Sequence, residues 1–101
     1  MSTDTEIVQD TSTVVQFKPP HMWKVVFLND DKTPMEFVID LLIELFGHNE
    51  KSAQDITLEI HNTGSGIAGL YNYEIAEQKG IEATRISKAN GHPLRIQVEQ
   101  E

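Results

Sequence analysis

The sequence predicts an α+β sandwich: one small, mostly antiparallel three-stranded sheet packed with three helices. Three observations carry this. "MWKVVFL" (22–28) is dense in β-branched and aromatic residues, and "HPLRIQVEQ" (92–100) alternates Leu94, Ile96 and Val98 with Arg95, Gln97 and Glu99. Between them, apolar residues recur at helical spacing in three separate segments. Read in order, the signals run β-α-α-β-α-β within 101 residues, a length that suits one small domain.

Each element follows from local chemistry. Residues 1–20, rich in Ser, Thr, Asp and Gln and closed by Pro19-Pro20, predict a mobile extension in which only Val14, Val15 and Phe17 offer apolar docking groups. The core domain is expected over 21–101. After the first strand and the connection "NDDK", Thr33-Pro34-Met35-Glu36 matches a capping box with Thr33 as N-cap. The helix that follows is expected to reach Phe46 and stop at Gly47, with Phe37, Val38, Leu41, Leu42 and Leu45 on its apolar face.

Asn49 can cap a second helix over about 50–62, with Ala53, Ile56, Thr57 and Ile60 on one face, and Gly64 suits a left-handed end. "NTGSG" (62–66) reads as a turn and "IAGLY" (67–71) as a strand. Asn72 caps the third helix, 73–89, whose inner stripe is read as Ile75, Ala76, Gly80, Ala83 and Ile86. A mid-helix Gly80 implies close packing against a neighbour, since it lowers helix propensity by about 1 kcal/mol relative to Ala. Asn90-Gly91 ends that helix before the last strand.

Composition narrows the function classes. Eight Lys and Arg against sixteen Asp and Glu give a net charge of −8, which repels phosphate backbones, and no basic run reverses it locally. The absence of cysteine removes disulfides, thiolate metal sites and a Cys nucleophile. Without a signal-peptide pattern or a long apolar run, the sequence predicts a soluble, cytoplasmic protein. No cofactor motif is present, and none is expected.

The candidate site is the turn "LNDDKTPMEF" (28–37). Asn and Asp before a helix ordinarily form turns and caps. Because Thr33 is read as the cap, Asn29 and Asp30 are left free for another task. A metal-dependent hydrolase using Asp30, Asp31 and His61 is one alternative, although two adjacent acids without a calcium-loop pattern are a thin donor set. No nucleophile elbow supports acyl transfer, and His21, His48 and His92 are scattered. Recognition of an ammonium group is a further reading. An amide oxygen, a carboxylate and a neutral imidazole (Asn29, Asp30 and His61) are suitable acceptors for its three donors. Leu28, Met35, Val38, Ile60 and Leu94 would line an apolar pocket beside them. Spacing alone does not choose among these readings.

"WKVVFLNDDKTPMEFVIDLL", "IHNTGSGIAGLYNYEIAEQK" and "NGHPLRIQVE" closely resemble the ClpS adaptor family, from about Lys18 to Glu99. The resemblance implies a non-enzymatic adaptor that binds proteins whose first residue is Leu, Phe, Tyr or Trp and delivers them to the ClpA unfoldase of the ClpAP protease. It implies that Asn29, Asp30 and His61 hold the α-amino group. Leu28, Thr33, Met35, Val38, Ile60 and Leu94 would surround the first side chain, with Asp31 in support and Met35 excluding β-branched residues. Glu74 and Lys79, in "YEIAEQK", match positions that contact the ClpA N-terminal domain. The extension before Pro20 would assist handover. One departure stands out: Thr57 occupies a position that is usually apolar in the family, often Met, so that pocket wall recedes or gains a hydroxyl.

Overall fold

The computed structural model describes residues 21–101, so the expected extension over 1–20, with Val14, Val15 and Phe17, lies outside the described residues. The elements are β1 (Trp23–Leu28), α1 (Met35–Glu44), α2 (Glu50–Thr63), β2 (Ser65–Tyr71), α3 (Tyr73–Ala89) and β3 (Arg95–Gln100). This is the predicted order. β1 is central and pairs antiparallel with both neighbours, giving the strand order β2-β1-β3. α3 lies against all three strands, whereas α2 packs on β2 and α1 on α2. The core between these layers is built from Val25 and Phe27 of β1, Val38, Leu41 and Leu42 of α1, Ala53 and Ile60 of α2, and small residues of β2 and α3.

The two asparagine caps form as their chemistry dictates. Asn49 accepts from the Ser52 backbone N–H at 2.8 Å, and Asn72 accepts from that of Ile75 at 3.0 Å. The capping box at Thr33 does not form. Helix α1 starts one residue later than expected, behind an extended Pro34 that makes no side-chain cap. The cause lies upstream: Asp30 accepts from the Thr33 backbone N–H, the donor that a Glu36 side chain would take in a capping box, and its bond from the Thr33 hydroxyl turns that side chain toward the loop. At its other end α1 stops at Glu44, and the chain turns away through Gly47 at φ +75°.

Two further readings shift. Ser65 belongs to β2 rather than to a turn, because Gly64 alone ends α2 (φ +99°) and frees the next residue to pair with Leu28. On α3 the buried stripe is Ala76, Gly80, Ala83 and Ser87, while Ile75 is 43 % exposed. A helix pressed against a whole sheet selects small residues over bulky apolar ones. A Cβ on Gly80 would sit 3.0 Å from Val98 Cγ2, which accounts for the glycine. The Ser87 hydroxyl is accommodated by donating to the Ala83 carbonyl at 2.8 Å.

His48 has a structural task that the sequence did not suggest. A bulge leaves Ala68 of β2 without a partner on β1. Its carbonyl accepts instead from His48 Nε2 at 2.6 Å, which ties the α1–α2 connection to the sheet.

Candidate functional site

The pocket forms where three chain segments meet: the end of β1 with its following loop, the C-terminal half of α2, and the entry to β3. Ten residues line it: Leu28, Asn29, Asp30, Thr33, Met35, Val38, Thr57, Ile60, His61 and Leu94. These are the residues expected from sequence, except that Asp31 is not among them. Its volume is about 50 Å³. Val38, Thr57, Ile60 and Leu94 are buried at its floor, while Met35 is 40 % exposed at the rim.

Asp30 is the organising group. Its Oδ1 accepts from the backbone N–H groups of Lys32 (2.8 Å) and Thr33 (2.7 Å), and its Oδ2 from the Thr33 hydroxyl (2.8 Å). Partial burial pushes its pKa upward, but these three bonds, with the nearby His92, outweigh it and hold the carboxyl below its ordinary value of 3.8. An ionised carboxylate can accept about four bonds. Asp30 therefore stays charged, is held in one orientation, and keeps acceptor capacity on Oδ2. It is not released from local structure, as the expected cap at Thr33 had implied. It builds the loop and faces the pocket as well.

His61 arrives from the last turn of α2. The Asn29 backbone N–H donates to the Gly64 carbonyl at 2.9 Å, which fastens the loop after β1 to the end of that helix. Gly64 occupies a left-handed conformation that costs any residue with a Cβ more. One glycine thus ends α2, admits β2 and brings His61 beside Asn29 and Asp30. Thr57 contributes no free donor, because its hydroxyl donates to the Ala53 carbonyl at 2.7 Å.

Among the described residues, no group of three His, Asp or Glu side chains is arranged to hold a metal ion. The hydrolase alternative through Asp30, Asp31 and His61 thus finds no support in the donor set. Among those residues no helix is long and apolar enough to cross a membrane.

Glu74 and Lys79 lie apart from the pocket, on α3, and do not pair with each other. Glu74 is exposed in the first turn. Lys79 is half-buried and donates from Nζ to the Leu45 carbonyl at 2.7 Å, satisfying a carbonyl just past the end of α1. The same ammonium lies 6.0 Å from the Phe46 ring centre and 5.7 Å from that of Tyr71. Beside it Leu45, Ile75, Gln78, Lys79, Ile81 and Glu82 surround an open depression of about 450 Å³.

The sequence reading missed His92, which packs edge-on against Phe37 with ring centres 4.5 Å apart and acts electrostatically on Asp30. The only sequence signal was its place before Pro93-Leu94, a segment that reads as a strand entry.

Comparison with known proteins agrees with this architecture. Residues 18–97 match the family described as ATP-dependent Clp protease adaptor protein ClpS. A Deinococcus radiodurans protein named ATP-dependent Clp protease adapter protein ClpS is 42 % identical over 84 residues, covering 83 % of this chain and 74 % of the relative. A Sodalis glossinidius protein of the same name is 41 % identical over 83 residues, covering 82 % and 78 %. The structure of Agrobacterium tumefaciens ClpS2 bound to L-phenylalaninamide superposes with a TM-score of 0.79 at 37 % identity, over 82 % of this chain and 100 % of that one. Fold, pocket and sequence together make this chain a member of the ClpS family of ATP-dependent Clp protease adaptor proteins.

Proposed function

We propose that this adaptor recognises N-degrons, binding the free α-amino group and a bulky apolar first residue (Leu, Phe, Tyr or Trp), and delivers their bearers to the ClpA unfoldase of ClpAP. One observation carries the reading: a single pocket joins three ammonium acceptors, Asn29, Asp30 and His61, to an apolar floor of Val38, Ile60 and Leu94. L-Phenylalaninamide, the ligand of the similar ClpS2, has the same two features, a free α-amino group on a residue with a bulky side chain. An α-amino group has a pKa of about 7.7–8.0, so it arrives as an ammonium ion at neutral pH. Asp30 meets it with a fixed charge, and Asn29 and His61 supply the other acceptors.

The energies are of the right size. Each charge-assisted hydrogen bond contributes about 1.5–3 kcal/mol, and burying one Leu or Phe side chain a similar amount. Against this stands the several kcal/mol lost on immobilising the peptide. A net of about 8 kcal/mol corresponds to a micromolar dissociation constant, which suits an adaptor that must release its cargo. The pocket of about 50 Å³ is small beside the roughly 150 Å³ cavity that accepts benzene in an engineered protein core. Admission of the first side chain therefore needs the rim to yield. Met35, unbranched and 40 % exposed, is the side chain suited to move, and a β-branched residue would demand more of it.

Delivery rests on the α3 face. Lys79 borders the depression around Leu45, Ile75 and Ile81, and Glu74 is exposed in the first turn of the same helix; the apolar groups offer the N-terminal domain of ClpA a contact area beside these charges.

Fluorescence anisotropy with a Leu- or Phe-initiated peptide and its N-acetylated twin tests the recognition. The free peptide is expected to bind at least about ten-fold tighter, the scale of one lost charge-assisted bond. Equal binding of the two would overturn the proposal. Thr57→Met should narrow the floor and lower Trp relative to Leu while leaving the free-amine requirement intact. The same assay with a panel of first residues reads this ranking.

A further inference from the structure

Beside the pocket runs a second depression, of about 300 Å³, between the C-terminal end of α3 and β3. Thr84, Lys88, His92, Pro93, Leu94, Arg95, Ile96 and Gln97 enclose it. In a chain with twice as many acids as bases, it holds two of the eight Lys and Arg residues plus a histidine, and no carboxylate. Lys88 and Arg95 are exposed, and among the described residues neither takes part in an ion pair; the two pairs present are Lys51–Asp55 and Arg85–Glu82.

The groove adjoins the binding pocket directly. Leu94 forms a wall of both. Arg95 pairs across the strands with Leu28, another pocket residue, which puts their Cα atoms roughly 5 Å apart. His92, on the groove side, is close enough to Asp30 to affect its ionisation. An extended peptide advances about 3.3–3.6 Å per residue. With its amino group on Asp30, its second to fourth residues lie within about 14 Å of the clamp, and the groove opens within that neighbourhood, at the wall of Leu94 that it shares with the pocket.

We infer that the groove formed by Lys88, His92 and Arg95 is a secondary subsite that takes an acidic side chain from the second to fourth position of the bound N-degron. It rests on the recognition proposed above and adds a preference beyond the first residue. The reason is charge complementarity: cations in no ion pair among the described residues, next to the pocket, in a chain otherwise acidic enough to repel such a peptide. The carboxylate meets Lys88 and Arg95 as a solvent-exposed ion pair, so the preference is modest and sensitive to salt.

The test compares two free-amine peptides that start with Leu and differ only by Glu or Gln at the third position. Binding is measured at low and high salt with the wild type, Lys88→Gln/Arg95→Gln, and Lys88→Glu/Arg95→Glu. The wild type is expected to favour Glu by about two- to five-fold at low salt, the range of an exposed ion pair, and to lose that preference at high salt. The Gln variant should bind both peptides equally, and the Glu variant should favour Gln. Thermal melts confirm that the variants are folded. A Glu-to-Gln ratio that is the same in all three proteins, or below one in the wild type, overturns the subsite. N-acetylated versions of both peptides keep the two ideas separable. If blocked and free peptides bind alike, the recognition itself fails. If free amines are required while the ratio ignores Lys88 and Arg95, only the subsite fails.

Discussion

Two charged groups, Asp30 at the pocket and Lys79 on α3, are each held by hydrogen bonds to backbone groups, but at very different range. Asp30 is fixed by Lys32 and Thr33, two and three residues away. Lys79 is fixed by the Leu45 carbonyl, thirty-four residues away. Asp30 is therefore preorganised by its own loop, with both oxygens oriented before a ligand arrives. Lys79 is oriented only once α1 and α3 have packed. The charge proposed for recognition is built into a local turn, whereas the charge on the proposed docking face also carries part of the fold.

The largest effect should come from removing the local device. Asp30→Ala deletes the charged acceptor and leaves the N–H groups of Lys32 and Thr33 without their partner. Affinity for a free-amine Leu peptide should fall by about 10- to 100-fold or more, following 1.5–3 kcal/mol per charge-assisted bond. Affinity within a factor of two of wild type would show that the clamp does not depend on this carboxylate.

Next in size is the link between loop and helix. Gly64→Ala forces a Cβ into the left-handed region at φ +99° and strains the bond from Asn29. A cost above about 1 kcal/mol is expected. That corresponds to a fall in melting temperature of about 4–8 °C for a domain of this size, accompanied by weaker peptide binding. An unchanged melt would mean that the turn relaxes without strain.

The α3 face should separate its two charges. Lys79→Ala removes a half-buried bond to Leu45 and is expected to destabilise by about 1 kcal/mol, the usual net worth of a hydrogen bond. Glu74→Ala, on an exposed side chain, should leave the melt unchanged. If both weaken association with the ClpA N-terminal domain, only Glu74 reports the contact cleanly. Matching melts for the two variants would remove the structural role assigned to Lys79.

The smallest effect is a pH dependence. The folded pKa of Asp30 is lowered, so its contribution to stability is fully present above the unfolded value of about 3.8 and is lost as pH falls through the lower folded value. Melting temperature should therefore drop less between pH 5 and pH 3 in Asp30→Asn than in wild type. Parallel curves would assign acid sensitivity to other carboxylates. Peptide binding should in turn weaken above about pH 8, where the α-amino group loses its proton.

Much of this was legible in the sequence because its causes are short-range. Asn49 and Asn72 satisfy N–H groups three residues ahead, and Gly64 ends α2 by its own backbone freedom. The strand alternation of Leu94, Ile96 and Val98 showed which side of β3 faces inward, and the motif around Asn29 and Asp30 pointed to the residues that now meet in one pocket. Competition was not legible. Thr33 has a single backbone N–H, and nothing in "NDDKTPME" says that Asp30 rather than Glu36 accepts from it, or that the Thr33 hydroxyl turns to Asp30 instead of capping α1. The α3 face was misread because periodicity rewards bulky apolar residues such as Ile75, while close packing on a sheet favours Ala76, Gly80 and Ser87.

The sequence by itself determined the order of elements, the asparagine caps of α2 and α3 and the chemical kinds of group at the site, since these depend on interactions spanning a few residues. The tertiary structure decided what those groups face. It placed Lys79 on Leu45, His48 on the bulge at Ala68 and His92 near Asp30, and it aligned Arg95 with Leu28 beside the pocket. Each of those contacts joins residues twenty or more positions apart, so none exists until the sheet and helices have packed together.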